Sequence, residues 1–260
     1  MSESWSPGTR GAFVTEVYSA IQGEAALVGE RQIFVRLAGC NIRCAYCDQP
    51  ESLDKAPGPC RVEHSPGRRD WRTVASPVTP GALVASVARL WEGLPHHSVS
   101  VTGGEPLVQA SALAEILPLL ADHGMPIQLE TNGILGSALA RLLPWLTYVS
   151  MDVKLDSVDG QEVALDRHAR FLTAAVAAGR RVWVKVVLGA ATSAEEVTTA
   201  ARMVDDVDPG VELFLQPVTP FGTVVAAPSP DQVLSFQDAA LQVHRRVRVV
   251  PQTHRQIDQL

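Results

Sequence analysis

The chain has 260 residues, enough for one large α/β domain or two small ones and enough to bury a core without covalent staples. A hydrophobic content of 46%, a charged content of 19% and a net charge of -6 describe an ordinary globular protein and exclude both a disordered composition and the basic excess of a nucleic-acid binder. Residues 1–13 lack a basic stretch followed by an apolar one, and runs such as LFLQPV (213–218) fall far short of the roughly 18 residues that suggest a membrane span, so the expectation is a cytoplasmic protein without signal peptide, membrane or nucleic-acid partner.

Short β-branched runs alternate with helical patterns along the chain, the signature of βα units and a mostly parallel sheet. In order, strands are expected at 13–20, 32–37, 98–102, 126–130, 148–152, 182–188, 211–216 and 247–250. Between them, Thr79 before Pro80 reads as an N-cap with proline at the first helical position, and SAEE (193–196) and SPDQ (229–232) fit the capping box. Further helices are expected at 110–123, 135–143 and 166–178. Residues 49–77, rich in proline, charge and small side chains, break the rhythm and read as a long surface excursion. No repeat and no linker divides the chain, so residues 1–260 are read as a single domain.

Three of the four cysteines lie in GCNIRCAYCDQP, spaced Cys40-x3-Cys44-x2-Cys47. In a reducing compartment such a cluster points to a metal or to catalysis rather than to disulfides. A structural zinc site needs a fourth ligand, which Cys60 or His64 could provide. A redox dithiol uses only Cys44 and Cys47 and leaves Cys40 unexplained. The remaining reading is an iron-sulfur cubane on three thiolates, with one iron left open for a small molecule. VTGGEP (101–106) closes a predicted strand, and its glycines allow backbone to approach a ligand closely.

C-x3-C-x2-C, with Tyr46 before its last cysteine and a Gly-Gly-Glu-Pro at the end of a later strand, resembles the radical S-adenosylmethionine (radical SAM) enzymes. YSAIQGE (18–24), FVRLAGCNIRCAYCD (34–48), VTGGEP, LETNG (129–133), VSMDVKLDS (149–157), LQPV (215–218) and QTH (252–254) then follow in the order seen in the 7-carboxy-7-deazaguanine synthase family. The resemblance implies an incomplete, open (β/α) barrel of the radical SAM type, with active residues at the C-terminal ends of its strands. It implies a carbon-nitrogen lyase that contracts the ring of 6-carboxy-5,6,7,8-tetrahydropterin to 7-carboxy-7-deazaguanine with loss of ammonia, on the route to queuosine and other 7-deazapurines. A 4Fe-4S cluster would sit on Cys40, Cys44 and Cys47, where the deoxyadenosyl radical derived from S-adenosyl-L-methionine removes hydrogen from the substrate. A flavodoxin- or ferredoxin-type electron donor and a homodimeric state are likewise implied. A glycyl-radical activase shares the cluster but needs no pterin pocket, and a zinc-stabilised binding module is the non-enzymatic alternative.

Residue by residue, the resemblance assigns the S-adenosylmethionine contacts to Tyr46, Cys47, Asp48, Gly104, Glu130, Asn132, Ser150, Lys154, Gln216, Pro217, Val218 and Thr219. Substrate contacts fall to Ile21, Gln22, Gly23 and Glu24 at the ring edge, to Arg36 at the carboxylate, and to Thr102 and His254. The terminal carboxylate of Leu260 is expected to reach the same site, so that residues 247–260 close it. Cys60 is expected to be an ordinary thiol. The family carries threonine or serine after the Asp that follows the last cysteine, a hydroxyl that helps to hold Mg2+; this chain has Gln49 there. An amide oxygen on a longer arm either reaches the ion or replaces it, and the expectation is weak magnesium dependence.

Overall fold

The computed structural model describes residues 11–159 and 165–259. Among the described residues there are ten strands: β1 (Val14–Ile21), β2 (Arg31–Leu37), β3 (Cys60–Glu63), β4 (Trp71–Val74), β5 (Ser98–Gly103), β6 (Ile127–Thr131), β7 (Tyr148–Val153), β8 (Arg181–Leu188), β9 (Glu212–Pro217) and β10 (Val247–Val249). They form one 10-stranded sheet in the order β10-β9-β8-β7-β6-β5-β2-β1-β3-β4. Every neighbouring pair from β2 to β10 is parallel, whereas β1 runs antiparallel to β2. The edges β4 and β10 do not pair with each other, so the barrel is open.

The helices are α1 (Pro80–Gly93), α2 (Ala110–Asp122), α3 (Gly136–Ala140), α4 (Asp156–Asp159), α5 (Leu165–Ala177), α6 (Ala194–Val207), α7 (Pro230–Leu241) and α8 (Thr253–Gln256). The Thr79 hydroxyl accepts from the Ala82 amide at the start of α1, and both capping boxes form, at Ser193 and Ser229. The helix expected at 135–143 is shorter: it ends at Ala140, and a 3-10 turn (Leu143–Trp145) follows. Pro144 supplies no amide and disfavours helical backbone at the residue before it. No helix among the described residues is long and apolar enough to cross a membrane.

Each central strand alternates with period two, and its two faces differ in chemistry. Ile33, Val35 and Leu37 of β2, Val99 and Val101 of β5, Leu129 of β6, and Val149, Met151 and Val153 of β7 belong to the main core. Their neighbours Gln32, Arg36, Ser98, Ser100, Thr102, Gln128, Glu130, Ser150, Asp152 and Lys185 stand on the other face, where Gln32 bonds Ser98 and Gln128, Ser100 and Thr102 bond Glu130, and Lys185 pairs with Asp152. The barrel lumen is therefore polar, and its outer wall is apolar.

The excursion at 49–77 requires correction. After a 3-10 turn (Pro50–Leu53), it contributes β3 and β4, an antiparallel pair that joins the sheet through parallel pairing of β3 with β1. Cys60 and Val62 alternate with exposed Arg61 and bury into the core, a strand of only four residues and too short to show periodicity in the sequence. Burial pushes the Cys60 thiol up to about 12, and it packs as a small apolar group.

Candidate active site

Because β1 is antiparallel, Ile21 lies opposite Arg31, at the end where the parallel strands begin. The chain then folds into the barrel: Ala25 and Leu27 pack on Trp183 and Phe214, lumen residues of β8 and β9. The Gln22–Glu24 stretch thus forms a floor, while the cysteine loop after β2 lies across the opposite end. A cavity of 380 Å³ lies between them. Its side is closed by the C-terminal segment, where the Thr253 amide donates to Gly23 O at 2.9 Å and Gln252 Nε2 donates to Glu24 Oε1 at 2.8 Å. A Cβ on Gly23 would sit 2.3 Å from His254 Nδ1 and 2.5 Å from the His254 backbone nitrogen. Gly23→Ala is therefore expected to unseat this segment and release the Thr253 amide, read as loss of its hydrogen-exchange protection; an unchanged rate would contradict the packing.

The roof is tied down by the Gly-Gly-Glu-Pro turn. Gly104 N donates to Leu37 O at 3.0 Å and Glu105 N donates to Gly39 O at 2.8 Å, so close that a Cβ on Gly104 would lie 2.3 Å from Gly39 O. The fully buried Glu105 carboxyl accepts from Leu107 N, Asn132 N and the Thr131 hydroxyl, joining this turn to the end of β6. Burial raises it to about 7 against the pull of those donors. Cys40, Cys44 and Cys47 are half-buried and all line the cavity. Burial raises the Cys40 thiol, while Lys154 and Arg43 act to lower it.

Charge is concentrated along the lumen of β7 and β8. Lys185 Nζ lies between Glu24 Oε2, with which it pairs, and Asp152 Oδ1 at 3.1 Å; Lys154 Nζ donates to Asp152 Oδ2 at 2.7 Å. Burial alone would raise the Glu24 carboxyl, but Lys185, with help from Gln252, holds it down to about 2. Burial likewise opposes charge on Lys185, and Asp152 and Glu24 overcome it, lifting Lys185 above its ordinary range. Beside this pair, Tyr18 stacks on Phe34 at 5.3 Å, and Arg36 Nη2 donates to the Tyr18 hydroxyl at 2.5 Å. Arg36 Nε also faces Glu16 Oε2 at 3.5 Å, an internal ion pair made from the cavity wall.

The sequence signature of the radical SAM superfamily matches residues 35–204. A 7-carboxy-7-deazaguanine synthase from Geobacter sulfurreducens is 40% identical over 253 residues, covering 96% of this chain and 98% of its own length. A protein of the same name from Methanopyrus kandleri is 34% identical, covering 96% of this chain and 95% of its own. This chain belongs to the 7-carboxy-7-deazaguanine synthase family. The crystal structure of QueE from Escherichia coli superposes with a TM-score of 0.61 at 22% identity, covering 94% of this chain and 95% of that one, which shows a shared fold.

Radical SAM enzymes carry a 4Fe-4S cluster and S-adenosylmethionine, and this synthase-family cavity fits both. A cubane takes one thiolate per iron, so its ligands need not converge on one point. Among the described residues no three or more of His, Cys, Asp and Glu converge to hold a single metal ion, and neither Cys60 nor His64 lines the cavity, which disfavours the four-ligand zinc site. Asn132 Oδ1 and Gln216 Oε1 are buried acceptors without a partner, both on cavity-lining residues, and they suit the amino groups of the cofactor.

Of the residues assigned by resemblance, Tyr46, Asp48, Gln49, Gly104, Glu130, Asn132, Lys154, Gln216, Val218, Thr219, Ile21, Gln22, Gly23, Glu24, Arg36, Thr102 and His254 line this cavity with the three cysteines. Ser150 and Pro217 do not; the Ser150 hydroxyl instead accepts from the Trp183 indole at 2.9 Å. Leu260 lies outside the described residues. Sequence reasoning missed Lys185, Asp152 and Arg255, which also line the cavity. The signal for Lys185 was a lone lysine inside the apolar run RVWVKVVL (181–188).

Proposed function

We propose that this chain converts 6-carboxy-5,6,7,8-tetrahydropterin to 7-carboxy-7-deazaguanine with loss of ammonia, in the biosynthesis of queuosine and related 7-deazapurines. The observation that carries this reading is that one cavity joins the three cysteine thiols to the Gln22–Glu24 floor and His254. When bound, the cluster and S-adenosylmethionine supply reversible removal of a hydrogen atom. The protein's own part is to hold the rings and exclude water. Tyr18 and Phe34 offer an aromatic wall, Arg36 is a cation for the substrate carboxylate, and Gln22 and Thr102 meet the ring edge. Burial lowers the His254 imidazole, opposed by Glu24 and Asp48, so a neutral ring faces the site near pH 7.

Magnesium fits poorly. Asp48 is already paired with the Arg255 guanidinium, and Gln49 offers only a neutral amide oxygen. The reading is that Arg255 and Arg36 provide the positive charge at the carboxylate without a divalent ion. Carried over from the family resemblance are a flavodoxin- or ferredoxin-type electron donor, a homodimeric unit and a cytoplasmic setting. The test is anaerobic turnover of the carboxypterin with mass detection of the deazaguanine acid, with and without chelator. Product in both arms is expected. No product at all overturns the function, and a rate that collapses in chelator and returns only with magnesium overturns the metal-free reading.

A further inference from the structure

The Glu130 carboxylate accepts from Gln22 Nε2 at 2.8 Å, Ser100 Oγ at 2.7 Å and Gln128 Nε2 at 3.0 Å through Oε1, and from Thr102 Oγ1 at 3.0 Å through Oε2. A carboxylate only accepts, so every neighbour must turn a hydrogen toward it. The consequence spreads through a closed ring of amides. Gln128, with its nitrogen committed to Glu130, shows its oxygen to Gln32 Nε2 at 2.8 Å; Gln32 then shows its oxygen to Gln22 Nε2 at 2.9 Å. Gln32 and Gln128 are at most 1% exposed, and the second hydrogen of the Gln32 amide goes to Ser98 Oγ at 2.6 Å.

Both hydrogens of the Gln22 amide are therefore consumed, one by Glu130 and one by Gln32. What Gln22 retains is a lone pair on Oε1, whose other partner is the Glu24 amide at 3.0 Å. The single hydroxyl hydrogen of Thr102 is consumed as well, so Thr102 too can only accept from a ligand. Gln216 adds a further acceptor: its Nε2 donates one hydrogen to Glu24 Oε1 at 3.3 Å, and its buried Oε1 is unpartnered. Gln22 and Thr102 carry both donors and acceptors in principle, yet each is left as an acceptor.

We infer that Glu130 is a positioning residue that sets the polarity of the substrate face, turning Gln22 and Thr102 into obligate acceptors and so selecting a heterocycle whose edge presents N–H donors over one presenting carbonyls. This rests on the pterin reading above and names what on the pterin is read: the amino and ring N–H groups of its pyrimidine edge. A donor-poor analogue would leave buried acceptors facing its carbonyl, at a cost of about 1 to 3 kcal/mol, roughly tenfold to a hundredfold in affinity.

The test uses two fluorescent ligands, 6-carboxypterin and 6-carboxylumazine, which differ by an amino group against a carbonyl at the 2-position. Equilibrium binding to the full chain is followed by fluorescence anisotropy. The wild type is expected to prefer the pterin by roughly tenfold or more. Glu130→Gln keeps the shape but introduces two hydrogens. If its nitrogen faces Thr102, that hydroxyl reverses and becomes a donor; if it faces Gln22, that amide must turn over. Either way an acceptor of the face is lost, and the preference is expected to collapse toward equality.

Gln128→Met opens the buried ring while leaving the direct bonds from Glu130 to Gln22 and Thr102, and it should retain the preference, which separates polarity from mere damage to the core. Should Glu130→Gln not fold, Thr102→Val deletes one acceptor and should weaken the pterin while sparing the lumazine. Failure of both ligands to bind wild type defeats the pterin reading and this inference with it. Equal binding of both defeats the acceptor face alone. A preference that survives in Glu130→Gln, or in Thr102→Val where only that variant folds, defeats the role given to Glu130.

Discussion

Cys47→Ser is expected to emerge from anaerobic reconstitution with little iron and sulfide and to give no detectable deazaguanine product, whereas Cys60→Ser keeps both. The contrast rests on where the thiols stand. Cys47 is half-buried on the loop that roofs the cavity, in the company of Cys40 and Cys44, while Cys60 is buried in β3 beside Val62 and away from the cavity wall. A thiolate is the soft, strongly donating ligand that iron-sulfur clusters use, and a serine hydroxyl does not replace it. For Cys60 the effect is on stability: a hydroxyl placed among apolar neighbours costs about 1 to 3 kcal/mol. Iron and sulfide analysis, a visible absorption spectrum and a urea melt on both variants check this. Loss of iron from Cys60→Ser would overturn the assignment of Cys60 as an ordinary core thiol.

Lys185→Met is expected to lower the unfolding free energy by about 3 to 5 kcal/mol at pH 7, because it strands the Glu24 carboxylate in the lumen without a cation and leaves Asp152 to Lys154 alone. The side chains involved are 9%, 19% and 18% exposed for Lys185, Glu24 and Asp152, so solvent screens the loss only partly. The sign with pH follows from Glu24. Its folded value, about 2, lies below the ordinary 4.5, so the stability it contributes is present above about pH 4.5 and is lost as pH falls toward 2. Without Lys185, burial dominates and Glu24 is more easily protonated. The deficit of the variant should be largest at neutral pH and shrink in acid. Urea unfolding at pH 7 and pH 4 measures it, and a deficit below about 1 kcal/mol, or one that does not change with pH, would show that the ammonium is not the partner assigned to it.

Much of this molecule could be read in one dimension, and the reason differs by element. Each of the eight expected strands overlaps an observed one, since each is a short run of apolar or alternating residues bounded by turn or helix signals. The helix starts at Thr79, Ser193 and Ser229 were legible because capping is a contact within three residues. The pair β3 and β4 was hidden because it lies in a stretch rich in proline and charge, and its strands are held by long-range pairing of β3 with β1 and of β4 with β3. Lys185 was hidden for the opposite reason: the β8 sequence looks like a core strand, and only the curvature of the sheet turns one face of it into a polar lumen.

The polar lumen was half-written in the sequence. Strands such as SVSVTG and YVSMDV alternate polar with apolar residues, which in a parallel sheet covered by helices means that one face surrounds something other than core. What lies there could not be read, because the antiparallel direction of β1 sends Gln22–Glu24 to the end opposite the cysteines, and whether that segment turns into the barrel or away from it depends on the packing of Ala25 and Leu27 on Trp183 and Phe214. By itself the sequence determined the chemistry, since thiol spacing and the ordered family motifs are local facts about residue type. The tertiary structure alone decided the polarity of the site: Glu130 commits the hydrogens of Gln22 and Thr102 only where β1, β5 and β6 bring them within hydrogen-bond reach, and no spacing along the chain encodes that meeting.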